Sequence, residues 1–158
     1  MDIILKRSIE WLDRLIAFDT TSRLSNLDLI ADIEKYMDEL GVPTRLTHDK
    51  DKTKANLWCT IGPQDIGGVV LSGHTDVVPI DGQEWTKTPF KMSEESGKLF
   101  GRGTSDMKGF CAIALAMAPE MKSRDLKVPI HFAFSFDEEV GCVGVRHLIK
   151  DVVDNLPL

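Results

Sequence analysis

Three polar clusters carry side chains able to hold a metal ion or move a proton: SGHTD at residues 72–76, GRGTSDMKG at 101–109 and FDEEVG at 136–141. His74 and Asp76 are two apart, the spacing at which an extended segment sends both side chains to one side. A metal-ligating His generally gives its other ring N–H to a carboxylate, which fixes the tautomer. Asp76 could serve that purpose or shape the water and base directly, and the pair would equally suit ordinary loop hydrogen bonds. Asp106 follows small and flexible residues. Its carboxylate can bridge two divalent ions, which an imidazole cannot, or it can cap a helix beginning at Met107. Asp137, Glu138 and Glu139 end a strongly apolar stretch, and successive carboxylates repel one another unless solvated or held by cations. If the strand breaks at Asp137, both glutamates can turn into one pocket. One would ligate metal while its metal-free neighbour takes a proton from water. A solvated acidic turn is the plainer alternative.

The elements that must position these groups follow from periodicity. Residues 3–18 repeat Ile4, Ile9, Leu12, Leu15 and Ile16 at helical spacing, and a second helix opens near Ser25 or Asn26 and stops at Gly41. Strands are expected over 44–47, 55–61, 67–72 and 128–136, and helices over 105–118, ended by Pro119, and 143–152. The run GGVVLS suits a central strand covered on both faces. Residues 76–99 read as a long loop, with Trp85 placed to cover the site entrance. The alternation of helices and strands predicts an α/β three-layer sandwich around a mixed, largely parallel sheet. Loops leaving one edge of such a sheet converge, so the three clusters can share a pocket. His48, His131 and His147 read as structural.

Composition narrows the function classes. The 158 residues carry a formal charge of -6 and form no sizeable basic tract, which argues against nucleic acid. No run approaches the ~18 apolar residues that span a bilayer. The start, MDIILKRSIEWLDRL, reads as a helix rather than a signal peptide. Cys59, Cys111 and Cys142 match no metal or redox pair and are expected to be buried free thiols in a reducing, cytoplasmic compartment. The glycines at 101–109 fit neither a dinucleotide fingerprint nor a phosphate loop.

Together, SGHTDVVP, GRGTSDMKG and FSFDEEVG resemble, in order and separation, the co-catalytic zinc metallopeptidase family, whose members include deacetylases, desuccinylases, aminoacylases and carboxypeptidases. The longer string LSGHTDVVPIDGQEWTKTPF, with KANLW before it and DEEVGCVGVR after it, is most similar to the acetylornithine-deacetylating branch. The resemblance implies two divalent ions, zinc or else cobalt, with His74 on one, Glu139 on the other and Asp106 bridging. Asp76 would tune the site, Glu138 would be the general base, and a cis peptide would join Asp106 to Met107. The implied reaction hydrolyses the N-acetyl amide of N2-acetyl-L-ornithine to L-ornithine and acetate, in arginine biosynthesis. The implied partners are a small N-acylated amino acid and, for the full-length enzyme, a second subunit. Residues 1–158 correspond to the front of the family's catalytic domain. A further carboxylate ligand, a distant His ligand and a lid or dimerisation domain would lie beyond it. The chain alone is therefore expected to hold metal weakly, to turn over little substrate and to self-associate through uncovered apolar surface.

Overall fold

The fold comes from a computed structural model and is described for residues 2–153. Helix α1 (Ile3–Ile16) begins where the Asp2 carboxylate accepts the Ile4 N–H at 2.8 Å, satisfying one donor that the helix cannot pair internally. Its stripe buries Trp11, Leu12, Leu15 and Ile16. Helix α2 (Leu27–Glu39) buries Leu29, Ile30, Ile33 and Met37. The Ser25 hydroxyl accepts the Leu27 N–H, leaving Asn26 free for a different task. The Asn26 amide bonds both the N–H and the carbonyl of Ala55, at 3.0 and 2.8 Å, and so fastens the start of α2 to the sheet. Gly41, with φ of 65°, ends the helix in the left-handed conformation that glycine adopts without a Cβ clash.

The remaining elements are β1 (Thr44–His48), β2 (Ala55–Ile61), β3 (Val69–His74), β4 (Ser93–Glu95), β5 (Lys98–Phe100), α3 (Lys108–Lys122), β6 (Ile130–Ser135) and α4 (Val143–Val153). The main sheet has the order β1-β2-β6-β3. Its β1–β2 and β2–β6 pairs are antiparallel and only β3–β6 is parallel, which corrects the expectation of a largely parallel sheet. The reason lies in the connections. A parallel crossover needs a dozen or more residues, usually with a helix. Between β1 and β2 there is only the turn at 49–54, which closes a hairpin. The route from β3 through α3 to β6 is long enough, and it inserts β6 between β2 and β3.

Two further expectations change. The apolar run entering β3 does not form a central strand: β3 lies at the sheet edge, with Val69 and Val70 54% and 47% exposed. Burial on both faces belongs instead to β6, where Phe132, Ala133, Phe134 and Ser135 are all buried. The loop after β3 contains the hairpin β4–β5, turned by Ser96 and Gly97, both at positive φ.

Helices lie on both faces of the sheet. One face presents Leu57, Cys59, Ile61, Phe132 and Phe134 to a core shared with α1, α2 and α3. The other presents Trp58 and Ala133 to Leu148 and Val152 of α4. Helix α3 runs through Pro119 rather than ending there. Proline removes the N–H that would bond the carbonyl four residues back. That carbonyl, Leu115, accepts the Tyr36 hydroxyl at 3.1 Å instead, which lets the helix continue. At the other end of α3, buried Lys108 donates to the Leu15 and Phe18 carbonyls at 2.9 and 2.8 Å, tying α3 to the end of α1. Burial pushes its ammonium down to about 8, against the pull of Asp19, Cys111 and Asp76. Cys59 and Cys111 are buried thiols pushed up to about 12 by desolvation, whereas Cys142 is exposed, contrary to expectation, because it lies on the turn entering α4. Among the described residues no helix is long and apolar enough to cross a membrane.

Candidate metal centre

The parallel pair β3–β6 brings the polar clusters together. His74 closes β3 opposite Ser135, so the loop after β6 starts beside it. Gly73 permits α3 to come close, since a Cβ there would stand 2.9 Å from Cys111 Sγ. Asp106 sits just before α3, and its bond to Met107 is cis. Beyond β6, Asp137 breaks the strand at φ of 53° and the turn carries Glu138 and Glu139 back toward β3. Gly144 lets the first turn of α4 pack onto this loop, because a Cβ would lie 2.2 Å from the Phe136 carbonyl.

At the centre, one ligating atom from each of His74, Asp106 and Glu139 lies within 4.8 Å of the others. A tetrahedral ion with bonds of ~2.0–2.1 Å sets its donors roughly 3.4 Å apart, so modest side-chain rotation closes the group around one divalent ion. Among the described residues this is the single such triad. The Glu138 carboxylate stands 3.8 Å from His74 Nε2. The adjoining cavity of about 320 Å³ is walled by His74, Asp106 and Glu138 together with Ser72, Met107, Ser135 and Val145. A larger groove of about 700 Å³ between α1 and α3 has a mostly aliphatic lining, including Ile4, Leu5, Ile9 and Ile113, and no ligating cluster.

The tautomer of His74 follows from its partners. Nδ1 lies 2.9 Å from the Asp76 carbonyl, which can only accept, so Nδ1 carries a proton. In the neutral ring Nε2 then presents a lone pair, yet it sits 3.0 Å from Asp106 Oδ1. Two lone pairs at that distance repel unless a cation lies between them, and a proton or a metal ion can fill that need. In the metal-free chain the proton does so. Burial lowers the His74 pKa, but bonding to Asp76 and Asp106 outweighs it and raises the value to about 9. Glu139 is raised by desolvation and by the nearby Asp106 carboxylate, another sign of uncompensated negative charge.

Asp76 works beneath the cavity rather than in its wall, being 2% exposed. Its carboxylate is 3.4 Å from His74 Nδ1, farther than its own backbone carbonyl, and its shorter bonds go elsewhere. Oδ1 accepts the Glu138 N–H at 3.0 Å, while Oδ2 accepts the Glu139 N–H at 3.2 Å and the Ser22 hydroxyl at 2.7 Å. Desolvation raises its pKa, but the His74 ring, then the Ser22 hydroxyl and the two glutamate N–H groups, hold it below the ordinary carboxylate value. One carboxylate thereby positions both glutamates through their backbone. Sequence reasoning missed Ser22, and the only local sign was its place in the polar link after α1.

Other expectations are placed elsewhere. Asp106 forms no side-chain cap at the α3 N-terminus, where Met107 occupies the cap position. Trp85 lies against the Arg102 guanidinium, 5.1 Å from ring centre to carbon, and lines a pocket beside Phe100 rather than the His74 cavity. His131 stacks on Trp58, and His147 stacks on Phe136.

A profile of peptidase family M20/M25/M40 matches residues 70–157, more than half of the chain and the stretch holding all five candidate site residues. The chain belongs to this family. Acetylornithine deacetylase of Shigella sonnei (strain Ss046) is 39% identical over 127 residues, covering 80% of this chain and 33% of that protein. The chain thus spans about a third of that relative's length. Human carnosine dipeptidase 1 superposes with a TM-score of 0.74 at 25% identity, over 96% of this chain and 37% of that one. The M20 family metallo-carboxypeptidase Sso-CP2 from Sulfolobus solfataricus gives a TM-score of 0.74 at 25% identity, over 99% and 36%. The chain has the metallopeptidase fold of M20 enzymes, whose members act on diverse amide and peptide substrates, with one triad able to bind a divalent ion.

Proposed function

We propose that these residues form one wall of a metal-dependent amidohydrolase site whose substrate is an N-acetylated amino acid, N2-acetyl-L-ornithine in particular. The observation that carries the reading is the meeting of His74 Nε2, Asp106 and Glu139 around a point that electrostatics reserves for a cation, with Glu138 beside it. His74, Asp106 and Glu139 would hold zinc or cobalt, with Asp106 free to bridge to a second ion completed by ligands outside these residues. A bound divalent ion supplies Lewis acidity, polarising the acyl oxygen and lowering the pKa of water. Glu138 accepts the proton of the attacking water and returns it to the leaving amine. Asp76 keeps Glu138 in reach through its backbone N–H.

The substrate class rests on likeness to the deacetylase relative, which is 39% identical, against 25% for the peptidase structures. The test is hydrolysis of N-acetyl-L-ornithine, N-succinyl and dipeptide substrates, with zinc or cobalt, by a protein carrying this segment within a complete catalytic domain. Acetylornithine should be preferred, and Glu138→Gln should keep metal but lose 10²–10⁴-fold in turnover. Undiminished turnover with metal bound would exclude Glu138 as base. The 158-residue chain assayed alone should turn over little or nothing.

A further inference from the structure

The ligand-bearing turn at 137–139 contains three consecutive carboxylates, and the ion pair that steadies it comes from a distant part of the chain. Lys54, just before β2, donates through Nζ to Asp137 Oδ1 at 2.6 Å and Oδ2 at 2.8 Å, and to the Ser22 carbonyl at 2.5 Å. Both side chains of the pair are only 15% exposed. The ammonium thus serves two chain segments at once. From Ser22 the hydroxyl bonds Asp76, and from Asp76 the carboxylate bonds the N–H groups of Glu138 and Glu139, which follow Asp137 directly. The hydrogen bonds form a closed ring: Lys54, Asp137, the two glutamate amides, Asp76, Ser22 and back to Lys54.

We propose that Lys54 and Ser22 are positioning residues for the metal site, acting through this ring to aim Glu138 and Glu139 at the ion. The proposal rests on reading the His74, Asp106 and Glu139 cluster as a metal site. Physically, Lys54 draws the first carboxylate of the turn out of the pocket and neutralises it. Asp137 can then take its left-handed conformation, tolerated by Asp better than by most residues, and the next two side chains face β3. Without the ammonium, the Asp137 charge would stand uncompensated next to a site that already gathers the carboxylates of Asp106, Glu138 and Glu139 above that of Asp76, and the Ser22 carbonyl would lose its donor. Lys54 and Ser22 lie before residue 70, outside the stretch that the family profile matches. Their place in the site comes from the three-dimensional ring alone.

The test compares the wild-type 158-residue chain with Lys54→Met and Lys54→Arg, checking by circular dichroism and urea unfolding that each folds. Two readouts apply: hydrogen exchange of the Glu138 and Glu139 amides without metal, and Co²⁺ titration followed by visible absorption. In Lys54→Met both amides should exchange at least tenfold faster than in wild type. Co²⁺ affinity should fall by about tenfold to a hundredfold, the range typical of lost partners behind metal ligands, with an altered absorption band. Lys54→Arg, which keeps the charge, should recover part of the affinity. A folded Lys54→Met chain with wild-type Co²⁺ affinity and spectrum overturns the proposal whatever the exchange does. If Lys54→Met fails to fold, Asp137→Asn, which breaks the ion pair but leaves the bond to Ser22, is read by the same criteria. If the wild-type chain itself takes no Co²⁺, the amides decide whether the ring positions the turn: unchanged protection in the variant overturns the proposal.

Discussion

The raised pKa of His74 makes a quantitative demand on the metal-free chain. The value of about 9 lies above the unfolded reference of 6.5, so the folded state binds the proton more tightly. The resulting stabilisation is complete below pH 6.5 and is lost as pH rises through about 9. Each pKa unit corresponds to ~1.36 kcal/mol. A shift of this size gives about 2–3 kcal/mol once the exposed Asp106 end of the interaction is discounted for solvent screening. With a urea m value of ~1–2 kcal/mol/M, the unfolding midpoint should fall by roughly 1–3 M across that interval. Lys108 acts in the opposite sense, because a buried ammonium pushed down to about 8 relieves the fold only as pH rises above that value. The interval from 6.5 to 8 therefore isolates His74. The same proton must leave before metal binds through Nε2, so Co²⁺ affinity should rise about tenfold per pH unit between pH 6 and 8. Urea titrations with and without Co²⁺, together with an NMR titration of the His74 ring, check both slopes. A flat midpoint over 6.5–8 with a His74 pKa at or below 6.5 would refute the argument that Nε2 and Asp106 need a cation between them.

Asp106→Ala removes the ligand that faces Nε2, so metal retained after dialysis should drop at least tenfold while His74 titrates closer to its ordinary value. Asp106 is a side chain 75% exposed, and global stability should stay within about 0.5 kcal/mol of wild type at pH above 9. Tyr36→Phe leaves the Leu115 carbonyl without a donor and should cost about 1–2 kcal/mol in urea unfolding. Pro119→Ala restores the helical N–H, so the Tyr36→Phe penalty should shrink in that background. A double-mutant cycle with no coupling would show that the hydroxyl does not replace the missing helix bond.

The elements that sequence placed best are those whose physics is local. Residues 55–61 form β2 with the expected bounds, and α2 stops at Gly41 as its left-handed terminus requires. Edge position was not legible in β3, because an apolar run looks the same whether neighbouring chain covers it or not. Sheet direction failed for a related reason: alternating helices suggested parallel pairs, but the short turn between β1 and β2 dictated a hairpin. The hairpin β4–β5 is too short for a periodic signal, though the Ser96-Gly97 dipeptide at its turn is a pair of turn-forming residue types.

The candidate site divides along the same line. His74, Asp106, Glu138 and Glu139 stand out in sequence because each sits in a short polar cluster whose residue types suit a cation, and the fold brings all four to one place. What holds them there is non-local. Lys54 meets Asp137 across 83 residues and Ser22 meets Asp76 across 54, and nothing at Lys54 or Ser22 in the sequence points to a partner that far away. A ligand must have a particular chemistry, so its identity is constrained at its own position. A residue that positions a ligand needs only a donor at the right point in space, which many residues could supply from many places in the chain. The ring around the acidic turn therefore had to be read from geometry, and its Lys54–Asp137 bond is where loss of a single charge would separate correct folding from correct aim.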